Sequence, residues 1–87
     1  MEVTRTPRGF ELIEFVDENG ETCHLQQSSV IGDYADAFDR PGSSAVWLGT
    51  SRKRMHLSRE QVREVVDHLA RWMETGSLDA PAGEVAP

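Results

Sequence analysis

The stretch from Arg59 to Thr75 restricts most strongly how this chain can fold. Its apolar residues recur at the period of an α-helix, so they line one side of that helix. These residues are Val62, Val65, Val66, Leu69, Trp72 and Met73. Ser58 and Gln61 have the spacing of a capping box, and Gly76 stands where glycine commonly ends a helix. Such a helix needs an apolar layer to pack against.

Two runs rich in aromatic and β-branched residues predict that layer. Residues 9–17 and 22–28 flank Asn19 and Gly20, and this is a strong short-range pattern for a β-hairpin. With a two-residue turn, Val16 pairs with Cys23 and Glu14 pairs with Leu25. One face then carries Phe10, Leu12, Glu14, Val16, Cys23 and Leu25, and the other carries Ile13, Phe15, His24 and Gln26. We expect the first face to be the buried one.

The 87 residues are enough for one domain and no more. Two further segments therefore belong to the same domain as the hairpin and the helix. Residues 45–49 read as a short buried strand and residues 53–57 as a further strand leading into the helix. We therefore predict an α+β fold, a small antiparallel sheet of three or four strands packed against one long C-terminal helix. Residues 1–8 are expected to be a flexible N-terminus. A single domain is expected over 9–78, with the hairpin at 9–29, an acidic loop at 30–44 and the helix at 59–75. A disordered tail is expected at 79–87.

Composition excludes several classes of protein. The net charge of −6 argues against binding nucleic acid or an anionic membrane over the whole surface. Cys23 is the only cysteine, which excludes an intramolecular disulfide and a cysteine-based zinc finger. No apolar run is long enough to cross a membrane, and no secretory signal stands at the N-terminus. We expect a soluble protein in a reducing, intracellular compartment.

No arrangement of catalytic residues stands out. Nothing beside Cys23 or any serine resembles a nucleophile elbow or an activating helix N-terminus. Cys23 and His24 are adjacent on a strand and point to opposite faces, so they do not combine as zinc ligands. A domain this small also has little room for a concave pocket. We expect a protein that is not an enzyme and that has no cofactor and no metal.

Two segments are candidate binding surfaces. The acidic loop carries carboxylates three residues apart and two aromatic residues four apart, namely Asp33, Asp36 and Asp39 with Tyr34 and Phe38. It predicts contact with a protein partner, because loops on a rigid scaffold often carry function. The alternative surface is basic and predicts a nucleic-acid-binding module. It consists of Arg52, Lys53, Arg54 and Arg59, with Trp47 one strand earlier. A buried Trp47 beside a merely soluble turn is the competing interpretation.

Three stretches carry a resemblance to a known family. They are Cys23-His-Leu-Gln-Gln-Ser-Ser29, Val46-Trp-Leu-Gly49 and Arg54-Met-His-Leu-Ser-Arg-Glu-Gln-Val62. In these stretches the chain resembles a family of small, largely uncharacterised bacteriophage and prophage proteins. The similarity covers residues 10–78, and residues 31–43 look like an insertion relative to the family pattern. The family offers no catalytic residues to carry over.

The resemblance implies a non-enzymatic accessory protein in the cytoplasm of a bacterial host. Its expected partner is a host or phage protein, with a nucleoprotein complex among the alternatives. A small acidic protein of this kind can occupy a groove that binds nucleic acid. One such role is inhibition of a bacterial defence system such as CRISPR–Cas. Direct binding of nucleic acid and assembly into a homodimer are the alternatives.

Overall fold

The computed structural model describes residues 1–29 and 45–79. Within these ranges the chain forms a four-stranded antiparallel sheet in the order β1-β2-β3-β4, followed by one helix. The elements are β1 (Val3–Arg5), β2 (Glu11–Val16), β3 (Thr22–Gln27), β4 (Val46–Thr50) and α1 (Arg59–Thr75). The predicted α+β class is confirmed, as are the bounds of the helix. The strand predicted at 45–49 is present with its bounds one residue later.

The N-terminal residues belong to the sheet, so the prediction of a flexible segment at 1–8 is wrong. Strand β1 pairs with β2 and places Val3 opposite Ile13. Met1 and Val3 both pack against the core. The run Val3–Arg5 is short, but the tight turn that follows it folds it back onto β2.

The strand predicted at 53–57 is also wrong, because no strand lies between β4 and α1. The backbone of this connection bonds to the end of the β2–β3 hairpin instead. The N–H of Glu18 donates to the carbonyl of His56 at 2.9 Å, and the N–H of His56 donates to the carboxylate of Asp17 at 3.0 Å. These two bonds bring the start of the helix against the hairpin.

The two tight hairpins are built on one plan. The first loop is Thr6–Phe10 and the second loop is Asp17–Glu21. In each, the first residue donates its N–H to the carbonyl of the last, at 2.8 and 3.0 Å. The side-chain oxygen of the first residue accepts the N–H of the last, at 3.1 and 3.0 Å. Gly9 and Gly20 occupy the left-handed region, with φ of 88° and 80°. Both are therefore three-residue hairpin connections closed by glycine.

The predicted two-residue turn at Asn19–Gly20 is wrong by one residue. Across the hairpin the observed pairs include Ile13–Leu25 and Phe15–Cys23. Because side chains alternate between the two sides of a strand, this shift exchanges the faces of β2. Ile13 is fully buried, whereas Leu12 and Val16 lie on the opposite face. On β3 the predicted residues Cys23 and Leu25 are buried, and Gln27, which was not predicted for this face, is buried as well.

The core lies between one face of the sheet and α1. The fully buried side chains are Ile13, Cys23, Leu25 and Leu78. From the helix, Val65 is buried, and Leu69 and Trp72 are half-buried against this cluster. Val62, Val66 and Met73 belong to the predicted apolar stripe, yet they are 44, 53 and 68% exposed. The helix thus buries one edge of its stripe and leaves the other edge at the surface of the described structure.

The start of the helix is capped as the sequence predicts. The hydroxyl of Ser58 accepts the N–H of Gln61 at 3.0 Å, and the side-chain oxygen of Gln61 accepts the N–H of Ser58 at 3.1 Å. The side chain of Gln61 also donates to the carbonyl of Val16 at 2.7 Å. One residue therefore both caps the helix and joins it to the end of β2.

The end of the helix is held by a buried carboxylate that the sequence did not reveal. Gly76 closes the helix in the left-handed conformation, as predicted. Glu11 is buried and accepts the hydroxyl of Ser77 at 2.7 Å and the N–H of Leu78. The side chain of Gln27 accepts the N–H of Glu11 at 2.9 Å and donates to the carbonyl of Gly76 at 3.0 Å. These bonds hold Leu78 in the core.

Candidate binding surface

The residues predicted from the sequence fall into three places. The acidic group lies outside the described residues, and it comprises Asp33, Tyr34, Asp36, Phe38 and Asp39. The basic group lies on the connection between β4 and α1 and on the first residue of the helix. Trp47 lies on β4, three residues before the strand ends. The structure therefore separates Trp47 from the basic residues that the sequence grouped with it.

The basic connection is exposed and partly neutralised by the protein itself. Arg52, Lys53, Arg54 and Arg59 are all exposed. The hydroxyl of Thr50 accepts the N–H of Lys53 at 2.7 Å, which shapes the turn at the end of β4. The ammonium group of Lys53 lies 3.3 Å from the carboxylate of Glu21. One of the three consecutive cations is thus paired with an acid of the hairpin.

Trp47 is a surface residue, so the interpretation that it belongs to the core is wrong. Its side chain is 63% exposed. It pairs with Gln26, while its neighbours Val46 and Leu48 pair with the buried residues Gln27 and Leu25. Trp47 therefore points away from α1. We call this side of the sheet the open face, because no helix or strand of the described ranges covers it. The register places on it Thr4, Leu12, Glu14, Val16, Thr22, His24, Gln26 and Trp47.

A cleft separates Trp47 from the first loop, and we call it the Trp47 cleft. It has a volume of about 530 Å³ and is lined by Thr6, Arg8, Phe10, Gln26, Ser29 and Trp47, among others. A second groove of about 300 Å³ lies on the other side of the indole, beside His24 and Gly49. Trp47 and Gln26 border both depressions. The indole is therefore a ridge between two concave surfaces.

The sequence did not predict that Arg8 and Phe10 belong to this surface. The guanidinium carbon of Arg8 lies 5.6 Å from the centroid of the Phe10 ring, which is the distance of a cation–π contact. The signal was present in the Thr-Pro-Arg-Gly run, since such a run is typical of a turn and places Arg8 at its tip. What the sequence could not show was that this turn lies beside Trp47. That proximity requires the four strands to pair in the order β1-β2-β3-β4.

The buried titratable groups support the fold and do not face the cleft. Burial raises the pKa of the Cys23 thiol, so the thiol stays protonated near neutral pH. The backbone N–H of His56, together with those of Glu21 and Asn19, lowers the pKa of Asp17. On the open face, the imidazole Nε2 of His24 lies 3.0 Å from the carboxylate of Glu14. These groups have their partners inside the protein.

Two other kinds of feature, a cluster of metal ligands and a membrane-spanning helix, are absent from the described ranges. No three His, Cys, Asp or Glu side chains there come together in the way a metal ion requires. No helix in residues 1–29 and 45–79 has the length and apolar character needed to cross a membrane. The polar and aromatic groups of the open face and its cleft include an indole, a carboxamide, hydroxyls, the Arg8 guanidinium group and the paired side chains of Glu14 and His24.

The stretch Arg54–Val62, on which the sequence resemblance chiefly depends, has a structural role in this fold. His56 bonds to the second loop, and Ser58 and Gln61 cap the helix. No family model, curated protein or solved structure matches the chain.

Proposed function

We propose that this chain is a non-enzymatic binding protein that attaches to another protein through the open face of its sheet. The observation that carries the proposal is Trp47, which is 63% exposed between two depressions. Tryptophan is enriched among the few residues that dominate the energy of an interface. The paired strands hold this indole on a rigid support, so little conformational entropy is lost on binding.

The distribution of charge favours a protein partner over nucleic acid. A protein that binds nucleic acid through its backbone needs several cations along one surface. Around Trp47 the described cation is Arg8, while the basic connection lies beyond the far end of β4 and has Lys53 paired with Glu21. The overall charge of −6 opposes a polyanion further. The alternative is a nucleic-acid-binding module, and affinity capture with and without nuclease distinguishes it from a protein-binding one.

The specific form of the proposal is a phage-type accessory protein that acts in the cytoplasm of a bacterial host. Its support is the sequence resemblance, the small size and the acidic charge of the chain. In this form the partner is a host macromolecule such as a component of a bacterial defence system, and the protein inhibits that system by occupying a functional surface. The open face supplies the attachment, and the acidic charge steers the approach to a basic groove.

Affinity capture with matched variants tests the proposal. The tagged full chain, Trp47→Ser and Val66→Ser are each incubated with bacterial lysate, with and without nuclease treatment, and captured proteins are identified by mass spectrometry. Val66 is a suitable control because it is 53% exposed and lies on the helix rather than on the open face. We expect wild type and Val66→Ser to capture the same protein and Trp47→Ser to capture about tenfold less or worse.

The contrary results are distinct. Equal capture by Trp47→Ser would remove the open face as the binding surface. Capture that disappears with nuclease treatment would favour the nucleic-acid-binding alternative. If the captured protein is a second copy of this chain, light scattering of the pure protein at about 100 μM shows a dimer that Trp47→Ser reduces to a monomer.

A further inference from the structure

We infer that the Trp47 cleft binds a carboxylate of the partner protein, with Arg8 pairing with that carboxylate while an apolar or aromatic side chain of the same segment packs on Trp47. This inference rests on the proposed function and specifies its ligand as an acidic peptide segment. Three observations support it: the charge of the cleft, its size, and its hydrogen-bond donors that have no partner in the described residues.

The described lining of the cleft carries no acid, although the chain is strongly acidic. Among residues 1–29 and 45–79, none that lines it is Asp or Glu, and the one ionised side chain there is that of Arg8. The protein as a whole has fifteen acidic residues against nine basic ones. The nearest buried carboxylate, Glu11, is bonded to Ser77 and to the N–H of Leu78. The described lining of the cleft therefore carries one positive charge beside a large aromatic surface.

Arg8 is available to a ligand, in contrast to its neighbour Arg5. The guanidinium group of Arg5 donates to the carbonyl of Gly9 at 2.9 Å and lies 3.8 Å from the carboxylate of Glu11. For Arg8 the described interaction is the stacking contact with Phe10, and no carboxylate of the described residues lies within ion-pair distance of it. No hydrogen bond joins the guanidinium group of Arg8 to another described residue, so its N–H donors remain for a ligand.

Two further donors line the same cleft. The carboxamide of Gln26 and the indole N–H of Trp47 have no hydrogen-bond partner in residues 1–29 and 45–79. Gln26 is half-buried and adjacent to Trp47 across the β3–β4 pair. A guanidinium group, a carboxamide and an indole N–H together match the acceptors of a carboxylate and of the peptide groups beside it.

The size and the single cation favour an acidic peptide over nucleic acid. A volume of about 530 Å³ accommodates a few side chains of an extended segment. One guanidinium group suffices for bidentate pairing with one carboxylate. A phosphate backbone would instead need a row of cations, and Arg52, Lys53 and Arg54 are not part of this cleft.

A titration of the full chain labelled with nitrogen-15 tests the inference by NMR. The probes are N-acetylphenylalanine, which has one carboxylate and one aromatic ring, and N-acetylphenylalaninamide, which has the ring without the charge. A short single-stranded oligothymidine is the third probe. The signals followed are the indole N–H of Trp47, the side-chain amide of Gln26 and the Nε–H of Arg8. We expect the acid to shift all three signals and to bind about tenfold more tightly than the amide.

The variant Arg8→Gln should abolish the preference for the acid, whereas Arg63→Gln, which removes an exposed arginine of α1, should leave it unchanged. Equal binding of acid and amide, no shift with either, or shifts with the oligothymidine alone would each overturn the inference.

Affinity capture separates this failure from failure of the proposed function. If Arg8→Gln captures the partner like wild type while Trp47→Ser does not, the carboxylate site is wrong and the open face stands. If Trp47→Ser also captures it, both are wrong.

Discussion

The first loop and the second loop share a backbone plan and differ in what their leading side chain does. Thr6 accepts one N–H, that of Phe10, and so closes only its own loop. Asp17 accepts the N–H groups of Asn19 and Glu21 and, with its second oxygen, the N–H of His56. A neutral hydroxyl thus completes a loop that presents Arg8, whereas a carboxylate completes a loop that also holds the start of the helix.

The comparison shows that one turn geometry can either hold a neighbouring segment of the chain or leave its tip exposed. The second loop is tied to the rest of the chain by Asp17 and by the bond from Glu18 to His56. The first loop has its tip exposed, and the side chain at that tip contacts Phe10 and the cleft. Substitutions in the second loop should therefore reduce stability, and substitutions at the tip of the first loop should affect binding.

The largest effect is expected for Asp17→Ala compared with Thr6→Ala. The first change removes the acceptor of three backbone N–H groups in two segments, and the second removes the acceptor of one. We expect Thr6→Ala to lower the free energy of unfolding by about 0.5–1 kcal/mol and Asp17→Ala to lower it considerably more. Urea unfolding followed by circular dichroism measures both. Equal losses would show that the additional bonds from Asn19 and His56 contribute nothing.

The charge of Asp17 should also make stability depend on pH. Its pKa in the folded protein lies below its ordinary value of 3.8 because backbone N–H groups, foremost that of His56, stabilise the ionised form. A depressed pKa means that this stabilisation is complete above the ordinary value and is lost as the pH falls through 3.8 toward the folded-state value. Asp17→Asn should therefore weaken the protein at neutral pH and flatten the acid side of its stability profile. An unchanged acid side in Asp17→Asn would contradict this.

Gly9→Ala and Gly20→Ala are expected to reduce stability equally, by less than Asp17→Ala and by more than Arg8→Gln. Both glycines have positive φ, and an added Cβ would meet nothing within 4 Å at either one, so backbone strain is the dominant cost. We expect each change to lower the free energy of unfolding by about 1 kcal/mol. Denaturant unfolding of the two variants side by side checks this. Clearly different losses of free energy of unfolding would show that the two loops differ in local backbone strain although their hydrogen bonds are alike.

The smallest effect on stability is expected for Arg8→Gln. Arg8 is exposed at the tip of the first loop, and its described contact is with the Phe10 ring. The free energy of unfolding should change by less than about 0.5 kcal/mol, while the preference of the cleft for a carboxylate is lost. Thermal unfolding and the NMR titration together measure the two quantities. A large loss of stability would place Arg8 among the structural residues instead.

What the sequence predicts correctly here is what depends on nearby residues. The helix, its capping box at Ser58 and Gln61, and its closing glycine follow from contacts within a few positions. The hairpin was also predicted, but its register was wrong because the carboxylate of Asp17 stabilises a three-residue loop over the two-residue turn favoured by Asn-Gly. That shift of one residue was enough to exchange Ile13 with Leu12 in the core.

What the sequence does not predict depends on residues far apart in the chain. Glu11 meets Ser77 and Leu78 across more than sixty positions, and no local pattern indicates such a bond. The Trp47 cleft likewise needs the four strands to be in register before Arg8 and Trp47 become neighbours. The sequence identifies Trp47 as a candidate binding residue from its type alone. It groups Trp47 with Arg52, Lys53 and Arg54 because they are close in sequence, whereas the fold places it beside Arg8.

The burial of Leu78 beyond the end of the helix has a consequence for biosynthesis. Its N–H bonds to Glu11, 67 positions earlier, and its side chain lies in the same cluster as Ile13 and Leu25. The β1–β2–β3 meander is local and can form while the chain is being made, since its contacts span few residues. The core, in contrast, lacks one of its members until Leu78 has left the exit tunnel of the ribosome. Folding of this domain is therefore completed only after residue 78 has been synthesised and has left the tunnel.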